Sequence, residues 1–314
     1  MAKLNDYLQG RENALRNATL QLTSDQEKEI LQAYLKSGEQ LIKKIAKTAD
    51  PTKRAVYMDY AYEIHRTTTN IIKKYSLDAA VTTLDSQSLL MLEMLAEKGA
   101  AKEALGFELN KLVNTRSEKL VESLIRGNLY KDGYGLSERI WKSSVTAGTN
   151  IQSIVAGALA NGTGAAELSK MLEAYVDPAV RRTWDFYKIE GILGKGYAVQ
   201  WKNLEYNALR LARTTISHSV TQSWKESAGV NPFIKKVKWN SVHAAGRTCE
   251  ACIALDGTIF TLDELPFDHP NGLCYMTHVF DESMDQMADR LAGWVNNPES
   301  DSELETWWQS RPQD

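Results

Sequence analysis

Residues 249–260 read CEACIALDGTIF and residues 267–278 read FDHPNGLCYMTH, and together they hold all three cysteines of a 314-residue chain. Cys249 and Cys252 form a C-x2-C pair, the spacing at which two thiolates share one tetrahedral ion while amides of the turn donate to the sulfurs. That is half of a metal site. His269 and Cys274, separated by a Pro-Asn-Gly turn, can fold back to complete three thiolates and one imidazole, with His243 and His278 as reserves for the histidine position. The expected set is Cys249, Cys252, His269 and Cys274 around Zn2+. Four protein ligands leave no position for water, so the expected role is structural and no catalytic residue is assigned. A lone C-x2-C pair reads equally well as two small buried hydrophobes. The third cysteine and three histidines within residues 243–278 tip the reading to metal.

Working outward, FIKKVKWNSV at 233–242 and GTIFTL at 257–262 are β-prone. The cluster therefore sits in a small β element, which a metal would staple where core is scarce. Upstream the pattern is helical. TSDQEKEILQAYLKSGEQLIKKIAK at 23–47 has Ser24 as a candidate N-cap and apolar residues at helical spacing, and Asp50-Pro51 ends it. AVYMDYAYEIHRTTTNIIKKY (55–75), SLLMLEMLAEKG (88–99) and EALGFELNKLVNTRSEKLVESLIRGN (103–128) continue the series. Gly127, Gly133 and Gly135 mark a tight loop taken as a boundary. Beyond it, residues 138–178 read as short helices broken by NGTG at 161–164, and EYNALRLARTTISHSVTQSWKESAG (205–229) as one long helix. His65 and His218 fall within helical patterns and read as surface or core histidines.

The fold class expected is mainly α. A helical N-terminal region at 1–135 precedes an α+β domain at 136–280, whose zinc-stapled β element lies at 239–280. A tail at 281–314 carries nine acidic and two basic residues. Its Trp294, Trp307 and Trp308 read either as a partner-docking peptide or as a segment folded back on its own domain.

Apolar residues make up 43% of the chain and charged residues 25%, the balance of a folded soluble protein, and the net charge of −3 names no partner. No apolar run is long enough for a membrane span, and the N-terminus lacks a signal-peptide core. A reducing cytoplasm is the expected compartment, where clustered cysteines favour metal over disulfides. Two paired thiols beside histidines fit metal better than a Cys-His protease. GILGKGY at 191–197 lacks the spacing of a phosphate-binding loop. Basic clusters such as IKKIAK, IIKKY, VRRTW and IKKVKW could touch phosphates or form solvated faces.

Trp239, Cys249, Cys252, Leu255, Gly257, Phe260, Pro266, His269, Pro270 and Cys274 together resemble, in order, the C-terminal signature of the bacteriophage Mu protein F-like family of minor head, or head morphogenesis, proteins. IQSIVAGALANGTGAAELSKML (151–172) looks like that family's helix-Gly-helix segment, and ALRLARTTISHSVTQSW (208–224) like its Ala-Arg-Thr-Glu helix. The likeness covers about residues 136–280. Gly272 stands where relatives often carry a cysteine, and Thr215 replaces the usual glutamate. The resemblance implies a low-copy capsid component at the portal vertex. It would be made in the host cytoplasm and taken into the virion head, with the portal protein, other capsid or scaffold proteins and packaged DNA as partners and no membrane. The rival reading is an HNH-like metal-dependent DNA endonuclease, because that family joins cysteine knuckles to an Asp-His dipeptide like Asp268-His269.

Overall fold

The computed structural model describes residues 2–47, 54–101, 103–130, 132–160, 203–243, 248–270 and 272–311. Five long helices come first: α1 (Ala2–Lys47), α2 (Arg54–Glu97), α3 (Glu103–Arg126), α4 (Leu136–Ala160) and α5 (Asn203–Glu226). Then follow β1 (Lys236–Asn240), α6 (Glu250–Leu255), β2 (Ile259–Thr261), β3 (Tyr275–Val279), α7 (Met284–Asn296) and α8 (Ser302–Gln309). The protein is mainly helical with one small antiparallel sheet near its C-terminus. Among the described residues no helix is long and apolar enough to cross a membrane. Asp50-Pro51, the NGTG break, GILGKGY, VRRTW, Asn271 and most of the segment likened to helix-Gly-helix lie outside the described residues.

The helices are longer than the sequence suggests. α1 does not begin at Ser24 but runs through it. The hydroxyls of Thr19 and Thr23 donate to the carbonyls of Leu15 and Thr19, at 2.9 and 2.8 Å, so these polar residues bond back along the helix instead of capping a new one. The segments at 55–75 and 88–99 belong to one helix, α2. The intervening stretch buries Ala79, Ala80, Thr83 and Leu84, and Thr83 donates to the Ala79 carbonyl at 2.8 Å. The turn between α3 and α4 is where the glycines predict it. Gly127 and Gly133 have φ of 86° and 69°, and a Cβ on Gly135 would lie 2.0 Å from the Ile125 carbonyl oxygen.

The chain forms two compact units, each assembled from separated segments. One comprises Ser24–Lys74 and Leu124–Arg213. Within it, α4 passes close to α2 at Gly148, where a Cβ would lie 2.8 Å from the Tyr57 carbonyl oxygen. His65 contacts the Ser137 carbonyl at 3.1 Å, with its ring edge-on to Trp141.

The other unit comprises Met1–Thr23, Tyr75–Ser123 and Thr214–Asp314. Its sheet has the order β2-β1-β3, with Val237 opposite Phe260 on one side and Trp239 opposite Met276 on the other. Alternation along β1 buries Val237 and Trp239 and turns Lys238 out to solvent. The third strand carries YMTHV.

The sheet is not short of core, contrary to expectation. Trp239, Val237, Ile234 and Met276 pack with Leu15 of α1 and Trp224 of α5 in one buried cluster. Helical residues supply the apolar surface that three short strands cannot supply alone.

The tail is folded in. α7 opens with a capping box between Ser283 and Gln286 and buries Met284, Met287, Leu291 and Trp294 against a cluster that includes Leu4, Leu90 and Phe233. Trp307 and Trp308 pack on the same cluster. The Trp294 indole N–H donates to Glu305 at 3.0 Å, the Trp307 indole N–H donates to the Gly229 carbonyl at 3.4 Å, and Arg311 lies 3.3 Å from the Trp308 ring centroid. Trp294 is buried and Trp307 and Trp308 are half-buried in the unit, the arrangement that the fold-back reading describes. The acidic charge is met locally: Arg290 binds Asp301 at 2.8 Å and Glu303 at 2.9 Å, and Lys98 binds Asp285 at 3.0 Å and Asp289 at 2.7 Å.

Candidate metal centre

β1 leads into the site through Ser241. Its amide donates to Asp256 at 2.7 Å and its hydroxyl to the Cys252 carbonyl, which anchors the C-terminal end of α6 beside the strand. Cys249 is the N-cap of α6, and its sulfur accepts from the Cys252 amide at 3.4 Å, the amide-to-sulfur bond expected of the knuckle. The chain then turns at Gly257, whose φ of 76° suits glycine, forms β2, and returns through 267–274 to β3.

This path brings the expected ligands together. Ligand atoms of Cys249, Cys252 and His269 all lie within 4.8 Å of one another, and so do those of Cys252, Asp268 and Cys274. Cys252 is common to both groups. Cys274 shares a group with Cys252 and Asp268 but not with Cys249 and His269, so closing all four expected ligands onto one ion needs side-chain movement.

His269 is the histidine that joins, and the reserves are occupied elsewhere. His243 contacts Asp256 at 2.7 Å. The side chain of His278, only 3% exposed, bonds Glu12 at 2.8 Å and also Gln87, with Trp224 edge-on to its ring. His269 donates from Nδ1 to the Pro270 carbonyl at 3.1 Å, which leaves Nε2 as the nitrogen with a free lone pair.

Asp268 is the member that the sequence reading missed. It is buried, with one carboxylate oxygen accepting from the His269 amide at 2.8 Å and the other from the Cys274 amide at 3.0 Å. The sequence marks it only as half of the Asp268-His269 dipeptide of the nuclease reading, not as a member of the metal cluster. Gly272 packs directly over this carboxylate: a Cβ there would lie 2.0 to 2.2 Å from its three atoms. A side chain of any kind at this position has no room unless the Asp268 carboxylate moves.

The donors differ across the site. Cys249 is exposed, and its thiol is held below the usual range because its sulfur accepts from the Cys252 backbone and side chain. The Cys252 thiol is pushed well up by burial and by donating to Cys274 and Cys249. Cys274 is raised by burial and by the Asp268 charge. The imidazole of His269 is raised by the Pro270 carbonyl, against its burial, with further contributions from Asp268 and Cys249.

The residues present fit a soft divalent cation. The buried Cys252 and the half-buried Cys274, both beside a carboxylate, keep their protons unless a positive charge replaces them, and a cation among them would make their thiolates favourable. The indole N–H of Trp239 is buried without a hydrogen-bond partner among the described residues. Cys249, Cys252, His269, Cys274 and Asp268 thus form a cluster able to hold a metal ion. Comparison with family models, curated proteins and solved structures found no match to this chain.

Proposed function

We propose that Cys249, Cys252, His269 and Cys274 hold one Zn2+, and that the chain is a minor head protein of a tailed bacteriophage, a low-copy assembly component at the portal vertex. Zinc bound by three thiolates and one imidazole supplies no chemistry beyond cross-linking, since no coordination position is left for substrate or water. The ion would tie the exposed start of α6 to the loop that leads into β3. The proposed role is therefore assembly and not catalysis. Its partners would be the portal protein and neighbouring capsid or scaffold proteins, with packaged DNA within reach, and its destination the virion head.

The observation that carries this reading is a coincidence of order and place. Four of the residues that resemble the Mu protein F-like signature, Cys249, Cys252, His269 and Cys274, also fall in two overlapping groups that could hold a metal ion and share Cys252. Quantitative mass spectrometry of phage particles purified from the producing host tests it. A few copies of this chain per particle, against hundreds of the major capsid protein, is the expected result. Absence from particles while the chain is abundant in the infected cell would overturn it, and magnesium-dependent cleavage of plasmid DNA would then decide for the nuclease.

A further inference from the structure

The metal loop is fastened from behind. His218, buried in the middle of α5, points Nε2 at the Asp268 carbonyl oxygen at 3.1 Å. A carbonyl only accepts, so Nε2 carries the proton and donates it. The ring also lies against Phe267, with centroids 4.8 Å apart. One helix residue thus holds both residues that precede His269. Asp268 passes that hold forward through its side chain, which accepts from the amides of His269 and Cys274, two of the four proposed ligands. The Asp268 carboxylate is trapped from the other side by Gly272.

We infer that His218 is a positioning residue of the metal centre: by donating to the Asp268 carbonyl it presets the loop that delivers His269 and Cys274. This inference rests on the metal reading proposed above. Outer partners that orient metal ligands typically contribute a factor of 10 to 100 in affinity. His218 reaches the ligands through Asp268, so its effect comes from pre-ordering the loop, a cost that the ion would otherwise meet on binding.

The test compares two substitutions in the full chain. His218→Phe keeps a ring against Phe267 but cannot donate; His218→Gln keeps an N–H donor and loses the ring. Zn2+ affinity is read by competition with a chromophoric chelator, and Co2+ is used as a probe whose visible absorption reports the ligand field. The expected result is a roughly 10- to 100-fold loss of Zn2+ affinity for His218→Phe with an altered Co2+ spectrum, and near-parental values for His218→Gln. Equal affinity in His218→Phe and parent would overturn the inference. So would a loss in His218→Gln as large as in His218→Phe, because packing and not the donated hydrogen bond would then be responsible. If either variant fails to fold, Phe267→Leu with His218 intact replaces it: the hydrogen bond remains, so affinity should stay within a few-fold of the parent, and a loss of 10-fold or more would overturn the inference. Failure of the parent to bind Zn2+ or Co2+ is a different outcome, which sinks the metal reading itself and this inference with it.

Discussion

Replacing Gly272 by alanine should cost the C-terminal unit about 2 to 3 kcal/mol, and the cause can be isolated. The new Cβ would stand 2.0, 2.1 and 2.2 Å from Oδ2, Cγ and Oδ1 of Asp268, where ordinary contact needs about 3.5 Å. Gly272 has no positive φ, so alanine brings no backbone strain. The carboxylate must therefore leave, giving up the amides of His269 and Cys274. Hydrogen bonds to a charged group contribute about 1.5 to 3 kcal/mol each, so losing two removes roughly 3 kcal/mol or more. The smaller conformational entropy of an unfolded alanine returns about 0.4 to 1 kcal/mol. Urea denaturation of metal-free protein measures the difference, followed by tryptophan fluorescence, since Trp224 and Trp239 both lie in the cluster behind the sheet. In an Asp268→Ala background the same substitution should be nearly neutral, because the obstacle is gone. A cost that is absent in the parent, or equally large in both backgrounds, would refute the reasoning.

Purified protein should carry about one equivalent of zinc by elemental analysis, and Cys252→Ser should remove it; three freely reactive thiols in folded parent protein would contradict the site. Chelation should increase amide exchange around α6 while leaving β1 and β3 protected, because the sheet has its own core; loss of protection throughout the sheet would show the metal to be its main support. His278→Ala should leave zinc content unchanged but destabilise the unit by roughly 2 to 4 kcal/mol, since it removes a buried ring and its bonds to Glu12 and Gln87; loss of zinc would make His278 a ligand. The carboxyl groups of Asp301 and Glu303 are held below their ordinary values of 3.8 and 4.5. Lys235 and Arg290 lower Glu303, and Arg290 lowers Asp301 against the opposing effect of its burial. A lowered folded pKa gives stability present above the unfolded value and lost as pH falls through the folded one. α8 should therefore loosen below about pH 4, seen as loss of near-ultraviolet circular dichroism from the tail tryptophans, and a signal unchanged to pH 2 would argue against the Arg290 network.

Local signals determined much of this protein. Helical periodicity, the glycines at 127, 133 and 135, and the C-x2-C spacing each act over a few residues and can be read along the chain. Continuity of α1 through Ser24 and of α2 through 76–87 could not, because a hydroxyl can cap a helix or bond back along it, and burial decides between the two. The tail shows the same limit: its acidic, tryptophan-bearing composition suited exposure until Arg290, Lys98 and an apolar cluster were placed beside it. The cysteines and His269 were legible as ligands by type and spacing. That His243 and His278 have partners of their own, and that Asp268 and His218 support the loop of His269, were decided only by tertiary structure. Those contacts depend on which groups, 50 residues apart for His218 and Asp268, come within hydrogen-bond reach once the loop is laid against α5. Sequence names the groups able to bind; three-dimensional packing decides which of them are already occupied.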